Sequence, residues 1–290
     1  MTQMGTGLNG PRIVTRREEA LTLLRAARAA GQRIGVVPTM GALHAGHVSL
    51  ARAAREACDL VVATIFVNPT QFGPHEDFQR YPRTLPADLE QLRSAGTDLV
   101  FVPDAEEMYP SGSTTMVEPP AVAARWEGAC RPGHFRGVAT VVLKLFLVLP
   151  ADVAYFGAKD YQQTLVVRRM VADLLVPIRI EVCPTVRDDD GLALSSRNRY
   201  LSAEERVRAL SLSRGLRAVA AQFQAGERSR DALEACLARE LTAGGVDQID
   251  YAAVVEPETL EPVDPLGHRA VALVAARVGG TRLIDNQMLE

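Results

Sequence analysis

Apolar residues change their spacing several times along this chain, and the changes mark its elements. Residues 18–32, EEALTLLRAARAAGQ, place apolar side chains three and four apart, which predicts a helix that Gly31 ends. Thr15, followed by Glu18, reads as its capping box. Ile34 to Val37 reads as a first strand, HVSLARAAREAC as a helix, and the unbroken run LVVATIFV, Leu60 to Val67, as a strand covered on both faces. Strand, helix, strand in this order predicts a parallel sheet. The pattern recurs with a helix over 87–95, a short strand Leu99 to Val102 and a helix in VATVVLKLFLVL. A buried strand Val153 to Phe156, a helix in KDYQQTLVVRRMVADLL and a strand alternating through Ile178, Ile180 and Val182 complete it. Residues 1–185 are therefore expected to form a doubly wound, Rossmann-like α/β domain. From about Ser202 the chain turns to the arginine- and alanine-rich helical segments SAEERVRALSLSRGLRAVAAQF and RDALEACLAREL, then to strand-like IDYAAVVEP, RAVALVAARV and TRLIDN. Residues 186–290 read as a smaller α+β domain, with a short linker around Val186 to Asp190.

Composition narrows the classes. Hydrophobic residues are 47% and charged residues 23% of the 290, which suits a packed globular chain and not a disordered one. Lys plus Arg number 32 against 35 Asp plus Glu, net −3, so nothing draws nucleic acid or an anionic membrane to the whole surface. An anionic ligand needs a local site. The opening MTQMGTGLNG lacks the basic start and apolar run of a signal peptide and reads as a loose cytoplasmic terminus. The longest apolar stretch is divided by Lys144 and Pro150, short of the ~20 residues of a membrane span. Cys58, Cys130, Cys183 and Cys236 form no CxxC pair and read as buried thiols in a reduced compartment.

Candidate chemistry gathers after the predicted strands, where open parallel sheets bind ligands. VVPTMGALHAGHVSL, residues 36–50, leaves the first strand through Pro38, carries Gly41 where backbone can approach a ligand, and sets His44 and His47 on one face of a helix start. Each histidine can donate to a phosphate oxygen. A lone histidine there is more simply a satisfied, half-buried side chain, and a zinc pair lacks a third ligand at an obvious spacing. The proline- and glycine-rich stretch IFVNPTQFGPHEDFQRYPRT, residues 65–84, reads as a lid-like loop in which His75 is simply exposed. Its Asn68 and Gln71 are neutral amides suited to hydroxyls and a carboxylate, although Asn68 before Pro69 also fits turn chemistry. Gly157-Ala158-Lys159-Asp160-Tyr161-Gln162-Gln163 again follows a strand and opens a helix, where a lysine opposes the helix dipole and is better explained by an anionic ligand. Ser195-Ser196-Arg197 offers two hydroxyls and a guanidinium to phosphate oxygens, or is a solvated interdomain turn. Asp88 alone reads as an exposed helix carboxylate.

His44-Ala45-Gly46-His47 resembles the HxGH signature of the nucleotidylyltransferase and class I aminoacyl-tRNA synthetase superfamily. Together with PTMGALHAGH, IFVNPTQFG, YPRT, GAKDYQQ and SSRNRYL, in this order, the chain resembles the pantothenate synthetase family along essentially its whole length. The resemblance implies an ATP-dependent ligase that joins pantoate to β-alanine through pantoyl adenylate, releasing pyrophosphate and then AMP. It implies catalytic roles for His44, His47, Lys159, Ser195, Ser196 and Arg197. Pro38, Thr39, Met40, Gly157, Asp160 (at the ribose), Val186 and Leu194 would complete the ATP site. Gln71, Gln163, Met40 and Asn68 would hold pantoate, with Gln71 shared by β-alanine and Arg131, in CRPGHFRGV, meeting the carboxylate of the amine, a role for which His134 and Arg136 compete. Asp88 would help hold the Mg²⁺ that bridges ATP phosphates. A cytoplasmic homodimer joined through the larger domain is implied, with no nucleic-acid or membrane partner. Leu194 and Ala158 depart from the family, which commonly has Met and Glu there. An enzyme that transfers AMP and stops, or a non-catalytic nucleotide sensor, are the alternatives.

Overall fold

The computed structural model describes residues 10–74 and 76–290. The opening nine residues, read as a loose terminus, and His75, read as exposed, lie outside the described residues. The chain divides into two compact units. One takes in residues up to Pro120, Arg131–Ala158 and Val166–Pro184, and the other Ala121–Cys130, Lys159–Leu165 and Thr185–Glu290.

The first unit is built on β1 (Arg12–Val14), α1 (Arg17–Ala29), β2 (Ile34–Val37), α2 (Ala45–Ala57), β3 (Leu60–Thr64), α3 (Leu85–Ser94), β4 (Leu99–Phe101) and a short α4 (Ala105–Met108). After α5 (Glu127–Cys130), which belongs to the second unit, come α6 (His134–Val148), β5 (Val153–Gly157), α7 (Tyr161–Asp173), whose first turn lies in the second unit, and β6 (Arg179–Cys183). Among the described residues the strands make one parallel sheet in the order β1-β4-β3-β2-β5-β6. Strands β2, β3 and β4 are buried along their whole length, as continuous apolar runs between helical layers must be. Val37, Leu43, Leu50, Val61, Leu92 and Val100 share one core cluster.

Three local differences from the sequence expectation have physical causes. The Thr15–Glu18 box does not form, because Arg16 takes the N-cap of α1 without a side-chain bond, and the distant Glu107 carboxylate accepts from the Arg17 amide at 2.8 Å. Strand β3 stops at Thr64, short of Val67, because the Thr64 hydroxyl and carbonyl turn to Thr39, at 3.1 and 2.5 Å. Edge strand β1 has only three residues, too few to leave a periodic signature. The cysteines also differ from expectation: Cys58 and Cys236 are buried, but Cys130 is exposed and Cys183 half-buried.

The second unit holds α8 (Ala203–Gln224), α9 (Arg230–Ala243), β7 (Gln248–Val255), β8 (Ala270–Val278) and β9 (Thr281–Leu289). Its antiparallel sheet runs β7-β8-β9. Ser202 and Glu205 form the capping box that opens α8. Leu212, Leu216, Phe223 and Leu237 of α8 and α9 pack on Val254, Val274 and Leu283 of the sheet. Val122, Trp126, Tyr161 and Leu165 cover the opposite face, against Val255, Val271 and Met288. The central strand β8 is buried almost throughout, so it needs that second cover. This is why the unit recruits 121–130 and 159–165 in addition to the stretch from Thr185. No helix among the described residues is long and apolar enough to cross a membrane.

Candidate active site

The order β3-β2-β5 places the switch point of the sheet at β2, since the chain leaves β2 for β3 on one side and later returns with β5 on the other. The loop Pro38–Leu43 leaves the carboxyl end of β2 at this point, where doubly wound sheets bind ligands. Thr39 ties it down: its carbonyl accepts from the Phe66 amide at 3.1 Å and its hydroxyl from the Gly41 amide at 3.2 Å. Gly41 and Ala42 then take left-handed conformations, φ 82° and 50°. A Cβ on Gly41 would stand 3.0 Å from Ile65 and 3.1 Å from Asp88. These turns aim the Ala42 and Leu43 amides at the Asp88 carboxylate, at 3.0 and 2.8 Å, and the Thr84 hydroxyl adds a third bond at 3.1 Å. Asp88 is 1% exposed. The surface carboxylate expected there is an internal anchor for the loop, and both oxygens are already spent on donors.

His44 is the N-cap of α2 and its Nδ1 accepts from the Gly46 amide at 3.2 Å. His47 Nδ1 accepts from the His44 amide at 3.4 Å. The two imidazoles thus form a reciprocal capping box, with ring centroids 4.1 Å apart. An Nδ1 that accepts carries no proton, so in each neutral ring the proton sits on Nε2. Two N–H donors are set at the start of one helix, whose dipole also favours an anion. Helix capping engages the Nδ1 of each ring.

At the end of β3 the turn Pro69–Gln71 presses on α6 so closely that a Cβ on Gly137 would overlap the Thr70 carbonyl. Asn68 is 1% exposed and its amide is committed. Its Oδ1 accepts from the Tyr109 hydroxyl at 2.8 Å and the Thr70 hydroxyl at 3.0 Å. Its Nδ2 donates to Gln71 Oε1 at 3.0 Å and to the Gly137 carbonyl at 3.3 Å. Asn68, expected to touch substrate, is bonded through Nδ2 to the Gln71 amide, and this sets which way that amide faces. With Oε1 occupied, Gln71 presents Nε2, which lies 3.1 Å from Met40 Sδ. Burial raises the Tyr109 hydroxyl above its ordinary value, so it remains a donor at neutral pH. Lys144 stands 4.2 Å over the same ring and donates to the Met108 carbonyl at 2.7 Å. Neither Tyr109 nor Lys144 carries a local sequence signal that would have marked it.

Arg131, expected at the carboxylate of the amine, forms a two-pronged bond to Glu76, both contacts 2.6 Å. It also approaches His134 Nε2 at 3.1 Å, while His134 Nδ1 lies 2.9 Å from the Gln71 carbonyl. An arginine can only donate, so His134 accepts through Nε2 and donates from Nδ1 to Gln71. Burial works to raise the Glu76 carboxyl, but the Arg131 hydrogen bonds and charge outweigh it and hold the group below the usual carboxylate range. The guanidinium also donates to the Gln71 carbonyl at 3.4 Å.

Apart from Gly157, which belongs to the first unit, the other expected residues lie in the second unit. Gly157 ends β5, and nothing lies within 4 Å of a Cβ placed on it. Lys159 and Asp160 follow in a 3-10 turn, with Lys159 Nζ 3.4 Å from Asp160 Oδ1 and its side chain 19% exposed. Two adjacent glutamines divide their work. Gln162 is buried and makes three bonds, to Val122, Arg125 and Glu127, whereas the side chain of half-buried Gln163 makes no hydrogen bond among the described residues. Val186 and Leu194 face each other across a narrow loop, Leu194 N donating to the Val186 carbonyl at 3.0 Å, and Gly191 turns it with φ 93°. Ser195 then caps a 3-10 turn by accepting from the Arg197 amide at 3.3 Å, which leaves its O–H as a donor. Ser196 is buried and Arg197 half-buried. Asn198 Nδ2 braces the turn on the Ala193 carbonyl at 3.0 Å.

Among the described residues no group of three or more His, Cys, Asp or Glu is placed to hold a metal ion, and the one carboxylate expected to do so is enclosed by amides.

Residues 12–288 match the model of the family described as pantoate-beta-alanine ligase. A pantothenate synthetase of Acidobacterium capsulatum is 57% identical over 256 residues, 88% of this chain and 86% of that protein. The crystal structure of pantothenate synthetase from Thermus thermophilus superposes with a TM-score of 0.89 at 50% identity, over 95% of this chain and 98% of that one. A pantoate-beta-alanine ligase from Francisella tularensis, solved in complex with beta-gamma ATP and beta-alanine, gives 0.80 at 35% identity, over 96% and 97%.

Proposed function

The chain belongs to the pantoate-beta-alanine ligase family, and from that premise we propose how its residues carry the ATP-dependent joining of pantoate to β-alanine. A pantoate carboxylate oxygen attacks the α-phosphorus of ATP, the bond to the bridging oxygen breaks, and pyrophosphate leaves. The amine of β-alanine then attacks the acyl carbon of pantoyl adenylate, the amide forms, and AMP departs with the former carboxylate oxygen as the amine loses its proton. Such transfer depends on positioning and charge neutralisation more than on a protein nucleophile.

The observation that carries the reading is the reciprocal His44–His47 cap at the sheet's switch point, which fixes the tautomers of two Nε2–H donors. These donors, with Lys159, the Ser195 and Ser196 hydroxyls and Arg197, act on the phosphates of ATP. Pro38, Thr39, Met40, Gly157, Val186 and Leu194 shape the nucleotide site and Asp160 accepts from the ribose. Gln71, through Nε2, and the unengaged amide of Gln163 hold pantoate, and Gln71 is shared with β-alanine. Asn68 and Arg131 act on Gln71 and not on substrate. Mg²⁺ enters as part of the nucleotide substrate, carried by its phosphates, with Asp88 supporting the loop beside it. The enzyme works in the cytoplasm as a homodimer, which a light-scattering mass twice that of the 31.4 kDa chain would support.

Incubation with ATP and pantoate tests the reading. Free AMP that accumulates only after β-alanine is added supports it. AMP released or transferred at full rate without the amine identifies instead an enzyme that stops at nucleotidyl transfer.

A further inference from the structure

Strand β9 takes no part in the scheme above, yet two adjacent buried residues in its middle reach both segments of the second unit that do. Asp285 is 4% and Asn286 8% exposed. Successive side chains of a strand point to opposite faces. Leu283 and Leu289 share the helix-covered face with Asp285, while Met288 packs with Tyr161 and Leu165 on the face of Asn286. On the first face the Asp285 carboxylate accepts from Arg187 at 2.7 and 3.0 Å. Arg187 in turn donates to the Gly191 carbonyl at 3.2 Å, within the loop that ends at Ser195. On the other face Asn286 Nδ2 donates to the Lys159 main-chain carbonyl at 2.8 Å. The strand also closes on itself, the Asn286 amide donating to Asp285 at 2.8 Å and Arg187 approaching the Asn286 carbonyl at 3.4 Å.

We infer that Asp285 and Asn286 are positioning residues for adenylate formation: together they mount the Lys159 turn and the Val186–Arg197 loop on one rigid strand and so set the spacing between the two phosphate-binding segments. The register of β9 on β8 runs without a shift from Ala270↔Leu289 to Val278↔Thr281, so the mount is a fixed part of a sheet and not of a loop. Groups that must meet one triphosphate from two stretches of chain gain from such a support, because displacement of about 1 Å at a reacting centre can cost about a hundredfold in rate. The inference rests on Lys159 and Ser195–Arg197 acting on ATP, and its test separates the two claims.

The measurement is pantoate-dependent exchange of labelled pyrophosphate into ATP, with KM for ATP, in Asn286→Ala, Asn286→Asp, Asp285→Asn and Lys159→Ala enzymes, and KM for β-alanine in the full reaction. Asn286→Ala should lower kcat/KM for ATP in exchange by about tenfold, the worth of one lost positioning bond. Asn286→Asp should be worse, since it sets an acceptor against the Lys159 carbonyl. KM for ATP should rise in both, which a loss of folded enzyme alone would not produce, and KM for β-alanine should stay within about twofold. Asp285→Asn keeps the volume and gives an independent reading from the loop side. Unchanged KM for ATP and exchange rate per folded molecule in the Asn286 and Asp285 variants, with exchange abolished in Lys159→Ala, would overturn the mount. Full exchange by Lys159→Ala would instead remove the reading of Lys159 on which the mount rests.

Discussion

Replacing Asp88 with Asn barely changes volume and removes one charge, yet the structure makes it an expensive change. The carboxylate accepts from the Ala42 and Leu43 amides and from Thr84 while almost wholly buried. An asparagine can accept through one oxygen only, and its Nδ2 then faces an amide donor. One buried N–H loses its partner, at about 1–3 kcal/mol, and the remaining bonds lose their charge, at about 1 kcal/mol more. A total of about 2–4 kcal/mol in a domain of this size lowers the unfolding midpoint by roughly 5–10 °C. The loop that carries Met40 and leads into His44 is the part released, so adenylation should fall as well. Thermal unfolding in EDTA, without nucleotide, isolates the anchor from any metal. If Asp88 were instead a Mg²⁺ ligand, the variant would keep its midpoint in EDTA and need more Mg²⁺ for half-maximal activity, and that pair of results would exclude the anchor.

His44→Ala and His47→Ala should each slow pantoate-dependent pyrophosphate release by about 10- to 100-fold or more, the loss of one bond to a charged group, while remaining folded; near-normal release by both would count against the paired-donor reading. Tyr109→Phe removes the donor that sets Asn68, and with it the facing of Gln71. KM for pantoate should rise about 3- to 10-fold with KM for ATP unchanged, and equal constants for variant and parent would dismiss the relay. Glu76→Gln should destabilise the protein at neutral pH by weakening the Arg131 clamp. Because the folded carboxyl is held below its ordinary value of 4.5, the difference from the parent should be full above that pH and close as the pH falls through the lower folded value. A difference that persists undiminished in acid would show that charge is not its source.

The architecture was legible where burial imposes a pattern. Ile34–Val37 and Val153–Gly157 announce themselves as apolar runs because helices cover both faces of the sheet. The long helices of the second unit and its three strands are readable for the same reason. Less legible was what each segment packs against. Nothing in WEGAC or in KDYQQ discloses that Trp126 and Tyr161 cover the far side of a sheet more than 80 residues on, although the continuous apolar character of β8 shows that some cover was required. The site divides in the same way. The local grammar of PTMGALHAGH and its neighbours points to phosphate chemistry because strand ends and helix starts are local features. The wiring beneath it is long-range: Asp88 under the histidine loop, Tyr109 behind Asn68, Glu76 under Arg131, and Asp285 with Asn286 beneath two separate segments. Those partners lie tens of residues apart in sequence, so residue type and spacing could assign candidate ligands but could not tell a ligand from the residue that holds it.

Whether the acid is activated as an adenylate before the amine attacks can be read by following oxygen. Pantoate carrying ¹⁸O in its carboxylate is turned over with ATP and β-alanine, and the products are weighed by mass spectrometry. One labelled oxygen is expected in AMP and none in pyrophosphate. Label in pyrophosphate or inorganic phosphate, or unlabelled AMP, would contradict it.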